Sequence, residues 1–268
     1  MYNGLQPMSI TSDLPLTNGQ THRDITRGVD MNIFPISFVS AGQPIRGLGY
    51  GPHSGSPKNV RAILIHGYSS SKHALDPIAV ALAKEDYPVL SLDLPGHKLG
   101  ATGGALVSFD MVVQIALDAN AALGTPCHPV YIGHSMGSAA ALTAASRDDT
   151  AVGACVLGLG YPVTVMRPDP NVIGYYLERW AWVDGASPVE VGLAMDKAIP
   201  PALEKLAGRP FLLINGTQDQ ELPPSSARTL FEMAHEPKTQ YTVASDHSGI
   251  PLLAAPFIVK WLNAVCQS

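Results

Sequence analysis

A serine lies at the centre of a glycine-flanked pentapeptide, Gly133–Gly137 (GHSMG), which follows the apolar run Val130–Ile132 and precedes an alanine-rich stretch. G-x-S-x-G between a strand and a helix is typical of a tight turn that exposes the serine hydroxyl. Side chains at Gly133 and Gly137 would collide with neighbouring backbone in such a turn. The helix that follows would point its positive dipole end at the reacting carbon. Ser135 is therefore the candidate nucleophile, although a Gly-Ser turn that merely opens a helix would give the same pattern.

A carboxylate and a histidine follow Ser135 in the chain, each just after an apolar run. Phe211–Ile214 leads to Asp219, and Tyr241–Val243 leads to His247. The order serine, aspartate, histidine is that of hydrolases built on a nucleophile elbow. In that chemistry the imidazole accepts the hydroxyl proton, and the carboxylate fixes its tautomer and stabilises the cation. The sequence therefore predicts a catalytic triad.

Other acids compete for the third role. Asp219 ranks above Glu221 and Asp93 because it follows a turn glycine by three residues at the end of a strand. Asp246 is adjacent to the histidine in sequence, so the two side chains should point in different directions. His235 falls on a predicted helix and is the weaker candidate for the base.

The remaining histidines have expected structural or surface positions. His66 should fix the loop after its strand, His97 should lie near the site on a loop, and His134 should buttress the turn. His53 and His73 are expected in solvent. No two histidines have the i,i+4 spacing with a flanking glutamate that a metal-hydrolase helix requires, so we expect no metal and no cofactor.

The elements that must position these residues alternate along the chain in the way typical of βαβ units. An antiparallel hairpin comes first, and several later strands are uninterrupted Val/Ile/Leu runs, as expected of strands covered on both faces. The predicted strands are Ile36–Val39, Ile45–Tyr50, Ala62–Ile65, Val89–Leu92, Val130–Ile132, Ala154–Leu157, Phe211–Ile214 and Tyr241–Val243. The predicted helices are Phe109–Leu123, Ser138–Ser146, Ser225–His235 and Ile250–Val265. The fold class is α/β, with a mostly parallel central sheet and helices on both faces.

Two stretches do not fit this alternation. Residues 1–30 form a polar arm, so the catalytic domain is expected over 31–268. Residues 161–207 are rich in proline and exceed a simple crossover, which predicts a small helical cap. The chain has nine tyrosines and three tryptophans, and the predicted cap holds five of these twelve residues: Tyr161, Tyr175, Tyr176, Trp180 and Trp182. These aromatics either bind the cap to the body or form an apolar lid over the nucleophile, and both roles can hold together.

Five motifs in order resemble the α/β-hydrolase superfamily over about residues 36–266. They are His66-Gly67-Tyr68, Asp93–His97, Gly133–Gly137, Gly216–Asp219 and Asp246-His247. The single His-Gly is similar to the serine esterase, lipase and peptidase-like branch. The resemblance implies an oxyanion hole built from the backbone N–H groups of Tyr68 and Met136. Where the family usually continues with Gly-x-Ser after Asp-x-x-Gly, this chain has His97-Lys98-Leu99-Gly100, so the pocket beside that loop is less well defined.

Composition limits the partners and the compartment. The 268 residues are 46% hydrophobic and 15% charged, which favours a large buried core. A net charge of −5 argues against a general nucleic-acid binder. Three widely spaced cysteines without a CxxC pair indicate small buried hydrophobes in a reducing compartment. No signal peptide and no membrane span are visible, so a cytoplasmic protein is expected.

The function predicted from these observations is hydrolysis of carboxylic esters (EC 3.1.1 type) through an acyl-enzyme on Ser135. The substrate would be a small ester with a short or medium acyl group, or an ester of an aromatic acid. A thioesterase or a peptidase-like hydrolase with the same triad is the alternative. A hydrolase-fold protein that only binds a ligand, and a homodimer assembled through the arm, also stay open.

Overall fold

The computed structural model describes residues 31–122, 127–163, 174 and 177–267, and the predicted arm lies outside the described residues. Eight strands form one sheet: β1 (Ile33–Ser40), β2 (Gln43–Tyr50), β3 (Val60–Ile65), β4 (Val89–Asp93), β5 (His128–His134), β6 (Gly153–Leu157), β7 (Phe211–Gly216) and β8 (Lys238–Val243). The helices with defined bounds are α1 (Asp76–Lys84), α2 (Phe109–Ala122), α3 (Met136–Arg147), α4 (Pro188–Leu206), α5 (Pro224–Met233) and α6 (Ile250–Val265), and residues 177–180 are also helical. A 3₁₀ turn, Lys72–Leu75, leads into α1.

The strand order is β1-β2-β4-β3-β5-β6-β7-β8. β1 pairs antiparallel with β2, and β2 pairs antiparallel with β4, while every later pair is parallel. The β1–β2 turn is only two residues long, and Ala41 and Gly42 both have positive φ, at 48° and 74°. Such a turn matches the twist of the flanking strands, which explains the tight hairpin. The predicted fold class is confirmed.

The central strands are buried on both faces. Every residue of β4, β6 and β7 is buried, which is the reason for their continuous apolar runs. Helices α2, α3 and α4 contribute to the core on one face, and α1 and α6 contribute to the core on the other. α3 lies closest: its residues Met136–Ser146 are all buried, because alanine and serine side chains let the helix approach the sheet.

The second half of the predicted cap forms helix α4, which packs against the core of the domain. α4 begins with a capping box in which the Glu190 N–H donates to Ser187 Oγ at 3.2 Å and the Ser187 N–H donates to Glu190 Oε2 at 2.8 Å. Its apolar side, including Val191, Met195 and Leu203, is buried in the core beside α3. The part of the predicted cap that precedes α4 is therefore 161–187. Residues 164–173 and 175–176 of it lie outside the described residues.

Candidate active site

Ser135 lies at the turn between β5 and α3 in a strained backbone conformation, with φ 54° and ψ −120°. A non-glycine residue adopts positive φ only where its surroundings hold it there. The Ser135 N–H donates to the Leu157 carbonyl at 2.9 Å. A Cβ at Gly133 would meet the Gly137 carbonyl, and a Cβ at Gly137 would meet the carbonyls of Ile65 and His66. The two glycines are therefore required at this turn by close backbone contacts.

Ser138 connects the elbow to the neighbouring strand. Its Oγ lies 2.6 Å from the Gly133 carbonyl and 2.8 Å from the Leu157 carbonyl, and it accepts the Leu157 N–H at 2.8 Å. One buried hydroxyl thus holds the end of β5, the end of β6 and the first turn of α3 together. This arrangement fixes the turn on which the Ser135 side chain stands.

Asp219 and His247 meet at the ends of β7 and β8. The His247 Nδ1–H donates to Asp219 Oδ2 at 2.7 Å, and the side chains are 4% and 0% exposed. Asp219 Oδ1 accepts the backbone N–H groups of Glu221 at 3.0 Å and Leu222 at 2.8 Å. A carboxylate held by two backbone donors keeps one oxygen for the imidazole, which fixes the proton on Nδ1 and leaves Nε2 as the acceptor.

His247 lies beside the residue that precedes Ser135. His134, the residue before Ser135, places its ring 4.8 Å from the His247 ring and its Nε2 at 2.9 Å from the His247 carbonyl. A Cβ on Gly158, which has φ 56°, would come within 3.1 Å of His247 Cε1. His247 Nε2 is buried and has no hydrogen-bond partner among the described residues. The structure thus brings base and elbow together without a hydrogen bond from the Ser135 hydroxyl to Nε2.

Two neighbouring histidines have opposite pKa shifts. Burial and, to a smaller extent, the charge of His247 lower the pKa of His134 to about 3, so His134 is a neutral donor. Burial also acts to lower the pKa of His247, but the hydrogen bond with Asp219 and the charges of Glu221 and Asp219 outweigh it and raise the pKa. His247 is therefore the better proton acceptor of the pair.

The loop after β3 reaches over the elbow. A Cβ on Gly67 would lie 3.1 Å from Ser135 Cβ, so no other residue allows the same approach without a shift. Tyr68 follows, its hydroxyl donating to the Ala186 carbonyl at 2.8 Å, and Ser69 turns the chain with φ 55°. Among the described residues, no acceptor bonds to the backbone N–H of Tyr68 or of Met136.

His66 and His97 support the loops around the site. The His66 Nε2 accepts the Leu94 N–H at 3.0 Å, and its Nδ1–H donates to the Gly67 carbonyl at 2.8 Å. The His97 Nδ1 lies 3.0 Å from the Pro95 carbonyl, and its ring packs edge-on against His66 at 4.8 Å. Burial lowers the pKa of His66 to about 3 and of His97 to about 4. Both side chains are thus neutral structural groups behind the loops.

Asp93, the competing acid, is used elsewhere. Its Oδ2 lies 2.6 Å from Lys72 Nζ and also accepts the Ala101 N–H, and its Oδ1 accepts the Lys72 N–H. Burial acts to raise the pKa of Asp93, but the hydrogen bonds from Lys72 and Ala101 lower it overall. The pair joins the 3₁₀ turn before α1 to the loop after β4.

The aromatic residues of the predicted cap occupy different environments. Tyr161 is partly buried and packs against the core. Trp180 and Trp182 are 43% and 51% exposed, and Trp180 Nε1–H donates to the Gly185 carbonyl at 3.3 Å. Tyr175 and Tyr176 lie outside the described residues.

Three residues near His247 were not assigned to the site from sequence. Arg179 donates to the Tyr68 carbonyl at 3.1 Å. Glu221 places Oε2 at 3.9 Å from His247 Nε2. Gly158, described above, leaves room for the imidazole. The sequence carried one usable signal, a glycine directly after the end of the predicted strand Ala154–Leu157.

A cavity of about 440 Å³ adjoins Tyr68 through Ala186. It lies between the segment Ala105–Phe109 and the start of α4, and its lining is mostly apolar, with Glu190 as the charged exception. No group of three or more His, Cys, Asp or Glu residues in the described part of the chain is arranged to hold a metal ion. None of the helices within that part has the length and apolar character needed to cross a membrane.

Comparisons with known proteins agree with this fold. The sequence profile described as the alpha/beta hydrolase family matches residues 62–189, which include Ser135. The structure is similar to that of the esterase domain of a Rhodothermus marinus protein, at 21% identity over 87% of this chain and 98% of the other, with a TM-score of 0.65. The chain has the α/β-hydrolase fold.

Two further structures have the same α/β-hydrolase fold. A cold-adapted esterase from an Arctic intertidal metagenomic library is 17% identical over 89% of this chain and 95% of its own, with a TM-score of 0.64. The monoacylglycerol lipase of Paleococcus ferrophilus is 20% identical over 87% and 99%, with a TM-score of 0.61. No curated protein matches the sequence significantly. At these identities the similarity establishes the fold and leaves the substrate to the site itself.

Of the other predictions, that for the cysteines is wrong in part. Cys155 is buried, but Cys127 is partly exposed and Cys266 is exposed. The two outer cysteines lie at the start of β5 and after α6, where the ends of elements reach the surface.

Proposed function

We propose that the protein is a serine hydrolase of carboxylic esters that works through Ser135, His247 and Asp219. The observation that carries the proposal is the strained elbow serine beside an imidazole that is hydrogen-bonded to a buried carboxylate at 2.7 Å. A strained turn is retained where surrounding structure holds it for a purpose. The esterases and lipases that share the fold make ester cleavage the first chemistry to test.

In the proposed reaction, Ser135 Oγ attacks the ester carbonyl while its proton moves to His247 Nε2. The tetrahedral oxyanion would accept hydrogen bonds from the backbone N–H groups of Tyr68 and Met136, which have no other acceptor among the described residues. The imidazolium then gives its proton to the departing alcohol, and the acyl group remains on Ser135. Water then attacks the acyl-enzyme while its proton moves to His247 Nε2. The bond from the acyl carbon to Ser135 Oγ breaks, the proton returns to that oxygen, and the carboxylic acid leaves.

The first step requires the Ser135 hydroxyl to reach Nε2. Catalytic hydrogen bonds are often long or misaligned in a free enzyme and tighten when substrate binds. His247 Nε2 is buried and unbonded to any described residue, which leaves it available to the Ser135 hydroxyl in the proposed reaction.

Labelling with a fluorophosphonate tests the nucleophile. We expect one equivalent of label on the native protein, located on Ser135, and none on Ser135→Ala. Ser138 also lies near the turn, but its hydroxyl is fully hydrogen-bonded, so it should stay unlabelled. Absence of labelling on the native protein, or equal labelling of Ser135→Ala, would refute the proposal.

Initial rates on p-nitrophenyl butyrate, an acyl-CoA and an aminoacyl amide then separate esterase from thioesterase and peptidase-like activity. The highest kcat/KM is expected on the p-nitrophenyl ester. A clear preference for the thioester or the amide would replace the ester assignment while leaving the triad in place.

We further propose that a short or medium acyl group occupies the cavity lined by Ala186 and Ala194, because about 440 Å³ lies at the lower end of the range for small-molecule pockets. Ala194→Phe would fill it from α4. We expect the variant to lose activity on hexanoyl esters while retaining it on acetyl esters. Equal losses on both esters would show that the acyl group binds elsewhere.

A further inference from the structure

Two carboxylates face the two ring nitrogens of His247. Asp219 Oδ2 lies 2.7 Å from Nδ1, and Glu221 Oε2 lies 3.9 Å from Nε2. Both belong to the same short loop after β7, and Asp219 Oδ1 accepts the Glu221 N–H at 3.0 Å. The hydrogen bond that fixes the first carboxylate therefore also fixes the backbone of the second.

The environments of the two carboxylates differ. The Asp219 side chain is fully buried, while the Glu221 side chain is 26% exposed. Asp219 makes a direct hydrogen bond, whereas Glu221 stands about one ångström beyond hydrogen-bond distance on the side from which Ser135 must give its proton. Glu221 is thus placed to act by charge on the edge of the ring that changes protonation.

We propose that Glu221 is a positioning residue of the proposed esterase reaction, stabilising the imidazolium that forms when the Ser135 proton moves to His247 Nε2. This inference rests on the proposed function. The Glu221 carboxylate takes no proton in the scheme: the serine O–H bond breaks, the N–H bond forms on Nε2, and the proton later leaves with the alcohol. Its negative charge lowers the energy of the state between those two transfers.

Within the described part of the chain, the charged and titratable groups coupled to His247 come from three elements. The loop after β7 contributes Asp219 and Glu221, the end of β5 contributes His134, and the segment before α4 contributes Arg179. Burial opposes a positive imidazole, and Arg179 opposes it through its charge. His134 is neutral because burial lowers its pKa to about 3. The hydrogen bond with Asp219 and the charges of Glu221 and Asp219 prevail, and the pKa of His247 is raised.

The test compares Glu221→Gln with Asp246→Asn. Both remove one negative charge within the active-site loops, and Asp246 is adjacent to His247 in sequence. Asp246 is exposed, however, and its Oδ1 accepts the Gly249 N–H, which an asparagine oxygen can also do. Asp246 is not among the groups that shift the pKa of His247, so it is a charge-matched control.

Fluorophosphonate labelling rates are measured between pH 5 and 9 for each protein. The acid limb of the rate–pH curve of Glu221→Gln should shift to lower pH by about 1 unit, which is the effect of losing a solvent-screened charge at 3.9 Å. The plateau rate should fall a few-fold because the base is weaker, and Glu221→Asp should recover part of both effects. Asp246→Asn should follow the native curve. A Glu221→Gln curve that superimposes on the native one would overturn the proposal.

A second readout does not depend on turnover. The imidazole resonances of His247, titrated by NMR, should shift to lower pH in Glu221→Gln and not in Asp246→Asn. An unshifted titration overturns the role of Glu221 even if labelling is normal. If the native protein is never labelled at Ser135 but the titration shifts, the proposed function fails while the charge contact stands, so the two failures are distinguishable.

Discussion

Asp219→Asn changes one atom of the side chain that orients His247. The amide oxygen can still accept the Glu221 and Leu222 N–H groups, now bonded to Oδ1 at 3.0 and 2.8 Å. The amide NH₂ then takes the place of Oδ2, 2.7 Å from Nδ1. Two donors face each other there unless the imidazole carries its proton on Nε2. In that tautomer Nε2 has no lone pair for the Ser135 proton.

We expect kcat for ester hydrolysis to fall about 10⁴-fold, equivalent to about 5.5 kcal/mol of lost transition-state stabilisation. KM should change less than threefold, because Asp219 is buried behind the imidazole and out of reach of substrate. The melting temperature should drop only a few degrees, since the two backbone bonds to Oδ1 are kept. Asp219→Ala loses those bonds as well and should melt lower.

The assay is steady-state hydrolysis of p-nitrophenyl butyrate by each variant, with active sites counted by fluorophosphonate and folding checked by circular dichroism. A natively folded Asp219→Asn variant that keeps more than a tenth of the native kcat would refute the reasoning. The double variant Asp219→Asn/Glu221→Gln shows whether Glu221, which faces Nε2, supports any residual activity.

Three further predictions follow from buried contacts and the base. The rate of ester hydrolysis should decline as the pH falls through an inflection above 6.5. The base must be neutral to accept a proton, and the carboxylate contacts of His247 outweigh burial and raise its pKa. A rate that is flat from pH 5 to 9 would contradict this. Gly137→Ala should melt several degrees lower or fail to fold, because its Cβ would meet backbone carbonyls, whereas Gly103→Ala, with open space around it, should melt as the native protein does. Lys72→Met leaves a buried carboxylate unpaired and should cost about 3–5 kcal/mol in urea denaturation. Lys98→Met, in an exposed pair, should cost less than about 1 kcal/mol, and equal costs would count against the argument.

Much of the fold could be predicted from local patterns. The predicted final helix has the observed bounds, Ile250–Val265, and the predicted helix Phe109–Leu123 is observed to Ala122. Such segments are readable because burial repeats at the period of the element itself. The G-x-S-x-G turn could be predicted for a different reason. A turn that brings backbone atoms into contact excludes every side chain but hydrogen at two fixed positions.

The extent of α4 was not predicted. Pro200 and Pro201 lie inside the helix, and prolines usually indicate an interruption. The capping pattern Ser187-x-x-Glu190 was nevertheless present in the sequence and marks the true beginning. Burial of the apolar side of α4 in the core beside α3 outweighs the loss of helical hydrogen bonds at the prolines. That stabilisation comes from residues far away in the chain, so a local pattern cannot reveal it.

By itself the sequence determined which residue types follow which strands, and therefore that a serine, an aspartate and a histidine gather at one edge of the sheet. Only the tertiary structure decided what each carboxylate does. Asp219 and Glu221 are two residues apart in one loop, yet one faces Nδ1 and the other faces Nε2. In an irregular loop no period fixes side-chain direction, so the hydrogen bonds of Asp219 Oδ1 to the following backbone settle it.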